Sequence, residues 1–106
     1  MALLDIKEHT LLQAVSTTGA GTSLKANRQK GWNFIFYGFT VTSGATIEIQ
    51  AEVSNGWVTI HTETITATGY TIAQSEHGHY KALRANITAY TDGIYTVLAQ
   101  GSTTGY

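Results

Sequence analysis

The sequence predicts an all-β protein, a β-sandwich or jelly roll of about eight short antiparallel strands. Residue usage is the first reason. Among 106 residues there are 18 Thr, 9 Ile and 5 Val, but only 7 Leu, 5 Glu, 4 Lys and 1 Met among the strong helix formers. β-Branched side chains are stiff at χ1 and pack well on a pleated surface. The second reason is the period-two alternation of apolar and polar residues, and the third is the glycine-bearing turn material that interrupts it at short intervals. A chain of 11.4 kDa holds one modest core. Residues 1–9 read as an N-terminal arm and residues 10–106 as a single domain.

The arm carries Leu3, Leu4 and Ile6, with Asp5, Lys7 and Glu8 between and after them. These apolar residues are too few to define a strand, so a docking role is expected of them. Strands are then read at residues 10–16 and 22–26, with turn material at 17–21. The stretch 32–41 differs from the others. Trp32, Phe34 and Phe36 lie on one face, and Ile35, Tyr37, Phe39 and Val41 on the other, so both faces want cover. Residues 46–53 give the clearest alternation, with Ile47, Ile49, Ala51 and Val53 opposed to Thr46, Glu48, Gln50 and Glu52.

Ser54-Asn55-Gly56 then signals a hairpin into residues 57–62, where Val58 and Ile60 oppose Trp57, Thr59 and His61. Shorter strands are read at 63–67 and 70–74. A second hairpin is predicted near the C-terminus, from residues 80–90 through Asp92-Gly93 to 94–99.

Composition excludes several functions. With no Cys there is no disulfide framework, thiolate nucleophile or Cys-ligated zinc. Six Lys plus Arg against seven Asp plus Glu give a net charge of −1 with no basic cluster, which argues against nucleic acid as a partner. The opening MALLDIKEH has no basic start and no uninterrupted apolar core, so no secretory leader is expected. The uncharged stretch 31–47 is broken by Asn, Gly, Thr and Ser and is too short for a membrane span.

No catalytic residues, cofactor or metal site are expected. Glu76-His77-Gly78-His79 places two imidazoles near each other, and His61 or Glu63 offers a third ligand, but Gly78 makes the segment turn-like. Glu48 and Glu52 fall about 13 Å apart along one strand, beyond the carboxylate spacing of glycoside hydrolysis. No nucleophile elbow, phosphate loop or dinucleotide fingerprint occurs.

The aromatic residues say more, because five of the eleven lie between residues 32 and 39. One face of that strand is expected to meet another molecule, the contact surface being Trp32, Phe34 and Phe36 together with Leu3, Leu4 and Ile6 of the arm. Trp32, Trp57 and Tyr70 are also candidates for a glycan-stacking platform.

Over about residues 10–100 the chain resembles the small β-sandwich head decoration, or cement, proteins of tailed bacteriophages. The resemblance is carried by STTGAGTSLKA, GWNFIFYGF, SGATIEIQAEVSNGWVTI and HYKALRANITAYTDGIYTVLAQG. It implies a non-enzymatic virion protein, made in the host cytoplasm, that binds the major capsid protein on the outside of the head and itself as a homotrimer. The alternative is a carbohydrate- or receptor-binding module of a phage tail or fibre. Low charge and absence of Cys suit protein contacts made in a reducing cytoplasm.

Overall fold

The computed structural model describes residues 6–25, 31–54, 56–72, 76–77 and 80–102, and these form strands joined by turns without a helix. In chain order the strands are β1 (Ile6–Val15), β2 (Gly19–Ala20), β3 (Leu24–Lys25), β4 (Gly31–Phe39), β5 (Ala45–Val53), β6 (Gly56–Ile65), β7 (Gly69–Ile72), β8 (Glu76–His77), β9 (Ala82–Tyr90) and β10 (Ile94–Ser102). All pairings are antiparallel and divide the strands into two sheets. The first has the order β1-β10-β4-β7, with β8 also on β4; the second has the order β2-β9-β5-β6, with β3 also on β9. Each short pair, β2 with β3 and β7 with β8, lies along one neighbouring strand and acts as one interrupted strand. The result is an eight-stranded jelly roll, four strands facing four.

Alternation decides what is inside. Trp32, Phe34 and Phe36 of β4 and Tyr95, Val97 and Ala99 of β10 point inward from the first sheet. Ile47, Ile49 and Ala51 of β5 and Leu83, Ala85 and Ile87 of β9 meet them from the second. Each of these strands thus buries every second residue between the sheets, as packed sheets require.

Three expectations need correction. Residues 6–9 are part of β1 rather than an arm, paired from Ile6 opposite Ser102 to His9 opposite Ala99. The pairing groups of β10 on that side need partners, and this segment supplies them. Residues 57–62 and 63–67 are not two strands, because β6 runs unbroken to Ile65. Register explains the apparent break: Gln50 lies opposite Thr59 and Ile49 opposite His61, so Ile60 is an extra residue on β6. A bulge of this kind reverses the alternation beyond it. His61 and Glu63 consequently join Ile65 on the inward side, opposite Ile49, Ile47 and Ala45.

The third correction concerns the C-terminal hairpin. β9 and β10 lie in different sheets, so Asp92-Gly93 turns an arch from one sheet to the other. Both strands alternate because both face the same core, and alternation does not tell which sheet a strand joins. Residues 40–44 and 66–68 make the same kind of crossing, between β4 and β5 and between β6 and β7. The β5–β6 hairpin does form, with Val53 opposite Gly56.

Candidate binding surfaces

The arches are tied together by one carboxylate. Asp92 accepts backbone hydrogen bonds from Thr42 (3.0 Å), Ser43 (2.9 Å) and Gly44 (3.0 Å) of the neighbouring arch. In return the Thr91 and Asp92 amides donate to the Gly44 carbonyl. These bonds, led by that from Ser43, hold the Asp92 carboxyl below its ordinary range. Val41 donates to the Thr68 hydroxyl at 2.9 Å, which joins the third arch to the same end of the sandwich. Behind them the buried Tyr95 hydroxyl donates to the Asp92 carbonyl, and Tyr90 donates to Gly93. Desolvation, with the Asp92 charge adding to it, pushes the Tyr95 phenol up and keeps it a donor.

This scaffold displays two outer faces; that of the first sheet carries an aromatic and aliphatic patch and, farther along, a Gln100–Glu8 hydrogen bond, while that of the second is mainly polar. On the first sheet, register places Tyr37 opposite Tyr70, Phe39 opposite Ile94 and Ile35 opposite Leu98. The Tyr37 and Tyr70 rings lie 4.5 Å apart between centroids, and Phe39 stacks beyond Tyr37 at 6.5 Å. No described element covers them: Tyr70 is 73% exposed, Phe39 50% and Ile94 37%. Beside Tyr70 is a cleft of about 240 Å³ lined by Thr64, Thr66, Thr68 and Thr71 among others. On the second sheet the corresponding face carries Glu48, Gln50 and Glu52 of β5, Trp57 and Thr59 of β6, and Arg84 and Asn86 of β9.

The expected contact residues therefore change. Trp32, Phe34 and Phe36 are wholly buried in the sandwich, so in the folded molecule they are not available as contact residues. Leu3 and Leu4 lie outside the described residues, and Ile6 opens β1. The three aromatics of the expected glycan platform are separated as well. Trp32 is core, Trp57 lies on the outer face of the second sheet, and Tyr70 on that of the first.

Of the residues in the histidine reading, only the His61 and Glu63 side chains lie within the described structure. His61 pairs with Glu63 at 3.0 Å and lies over Phe36, with ring centroids 5.9 Å apart. Among the described residues no three His, Cys, Asp or Glu side chains form a metal-binding group. His77 pairs along the backbone with Gly31, and His79 lies outside the described residues. Glu48 is engaged by Gln50 and Thr59 instead of facing a second carboxylate across a cleft.

No family model and no curated protein matches the sequence. Solved structures share the fold. SPBc2 prophage-derived protein YomS superposes with a TM-score of 0.74 at 12% identity over 96% of both chains. PBSX exported protein XepA gives a TM-score of 0.74 at 10% identity over 96% of this chain, which spans 39% of XepA. A point mutant of CBM29-2, a family 29 carbohydrate-binding module, gives 0.54 at 14% identity over 94% of each chain. At these identities the likeness is one of fold: a β-sandwich shared with a prophage-derived protein, an exported protein and a carbohydrate-binding module.

Proposed function

We propose that this chain is a non-enzymatic structural protein of a bacteriophage particle, a decoration protein that lies on the head and reinforces it. The observation that carries the reading is the uncovered face of the first sheet, where Tyr37, Phe39, Tyr70 and Ile94 form a contiguous aromatic and aliphatic surface. Exposed apolar surface of this kind supports an interaction with another molecule, and aromatic residues are the usual anchors of protein contacts. The fold shared with prophage-derived YomS supports a phage setting. In this reading the face binds the major capsid protein, and sister subunits of a homotrimer contact one another around it.

The test is co-sedimentation with undecorated phage heads, comparing the natural chain with the double variant Phe39→Glu, Tyr70→Ala. The natural chain is expected to pellet with heads. The variant should remain in the supernatant while its thermal melt is little changed, because both side chains are exposed. A natural chain that ignores heads would overturn the reading. Deleting residues 2–9 is a poor substitute, since residues 6–9 form part of β1.

A second reading, a saccharide-binding module, is favoured by the fold shared with CBM29-2 and by the hydrogen-bonding face of the second sheet. It uses the opposite side of the molecule and is compatible with head attachment.

A further inference from the structure

The outer face of the second sheet differs from an ordinary solvated surface in how its side chains are held. Gln50, at its centre, is only 9% exposed. Its amide nitrogen donates to Glu48 Oε1 at 3.2 Å, and its oxygen accepts from Arg84 Nε at 2.7 Å. Thr59 donates to the same Glu48 oxygen at 2.8 Å. The Arg84 guanidinium in turn lies over the Trp57 ring, 4.3 Å from its centroid. A single chain of contacts thus links Thr59, Glu48, Gln50, Arg84 and Trp57 across three strands. Long polar side chains on a free surface lose rotamer entropy when fixed, and here the neighbours fix them in advance.

Register orders these groups into rows running across the strands. One row is Asn86, Glu48 and Thr62; the next is Arg84, Gln50 and Thr59; the third contains Glu52 and Trp57. Strands are about 4.8 Å apart, and successive same-face rows about 7 Å apart. The strip therefore presents amide, carboxylate, hydroxyl and guanidinium groups beside one indole, with Ala20 at the β2 end of its first row. Glu48 and Glu52 against Arg84 leave it without the positive field that an acidic ligand requires.

We propose that this strip, with Trp57, Arg84 and Glu48 as its principal contacts and the buried Gln50 holding Arg84 and Glu48 in place, is a binding site for an uncharged saccharide chain. The proposal rests on the saccharide-binding reading and assigns it a place. A sugar offers the chemistry the strip matches: hydroxyls that donate and accept at once, and C–H faces that lie against an aromatic ring. Because the polar groups are held before the ligand arrives, little ordering remains to be done on binding.

The experiment titrates the purified full-length chain with soluble gluco-, manno-, galacto- and N-acetylglucosamine oligomers by calorimetry and by tryptophan fluorescence. The chain has two tryptophans, and Trp32 is wholly buried, so a fluorescence change on binding reports Trp57. At least one oligomer is expected to bind. Trp57→Ala and Arg84→Ala should each weaken it by about tenfold or more, the scale of losing an aromatic or guanidinium anchor. Thermal melts establish that each variant is folded, and Tyr70→Ala should bind as the natural chain does. Binding that persists in the folded Trp57 and Arg84 variants but disappears in Tyr70→Ala would overturn this site while keeping the saccharide reading. Absence of binding to every oligomer would overturn both.

Discussion

Asp92 shows how one residue can be read correctly as a turn former and still make a different turn. Its carboxylate serves the 40–44 arch through three amides, and Gly93, at φ +102°, bends the chain at a dihedral that suits glycine. Because those amides hold its pKa below the ordinary value of 3.8, the folded state favours the ionised form. The stabilisation is complete above that ordinary value and disappears as pH falls through the lower, folded one. Asp92→Asn should therefore lower the melting temperature at neutral pH, and its deficit against the natural chain should narrow in acid. Melts across that range check this; a deficit independent of pH would show that the charge contributes nothing. A second pair of substitutions separates core from surface on β4. Phe34→Ala is expected to cost about 3–5 kcal/mol in chemical denaturation, because it opens a cavity among buried neighbours. Phe39→Ala, farther along the strand on the other face, should cost about 1 kcal/mol or less. The two faces are visible in the sequence, since Trp32, Phe34 and Phe36 alternate with Ile35, Tyr37 and Phe39. Which face turns inward is not, because both are apolar.

At the scale of elements, pairing is harder to read than strand existence. β5 and β9 are legible from their alternation, and the β5–β6 hairpin from its turn signal. The expected β9–β10 hairpin does not form because Asp-Gly is equally suited to an arch when its carboxylate finds amides on another loop. The bulge at Ile60 is hidden because a one-residue insertion looks like the end of one strand and the start of the next. The polar strip escapes sequence reading for a related reason: Trp57, Gln50 and Arg84 come from three strands and meet only through register. Glycine at the 40–44 arch gives a sharp element-level test. Gly44 has φ +107°, and a Cβ there would lie 1.8 Å from the Ile65 carbonyl oxygen. Gly44→Ala should destabilise by more than about 1 kcal/mol in urea titration, since backbone must move to admit the methyl group. A neutral result would mean that Gly44 is not held as close to the Ile65 carbonyl as the structure places it.

For the molecule as a whole, the jelly roll separates two chemistries that a single sheet would mix. The aromatic face of the first sheet suits a protein partner, and the hydrogen-bonded face of the second suits a polar ligand. Substitutions on the two faces lie on opposite sides of the core and should act independently: the double variant Phe39→Glu, Tyr70→Ala is expected to leave tryptophan-reported sugar binding unchanged. The position of β10 has a further consequence, for synthesis. Among the described strands β10 comes last in chain order, and it is an interior strand of its sheet, inserted between β1 and β4. β1 is made well before its partner β10, with all the other described strands between them in sequence, so the first sheet cannot close until β10 has been translated. A truncated chain ending before Ile94 would carry two unsatisfied edges facing one vacant lane, and a peptide of residues 94–102 added in trans is the natural candidate to fill it.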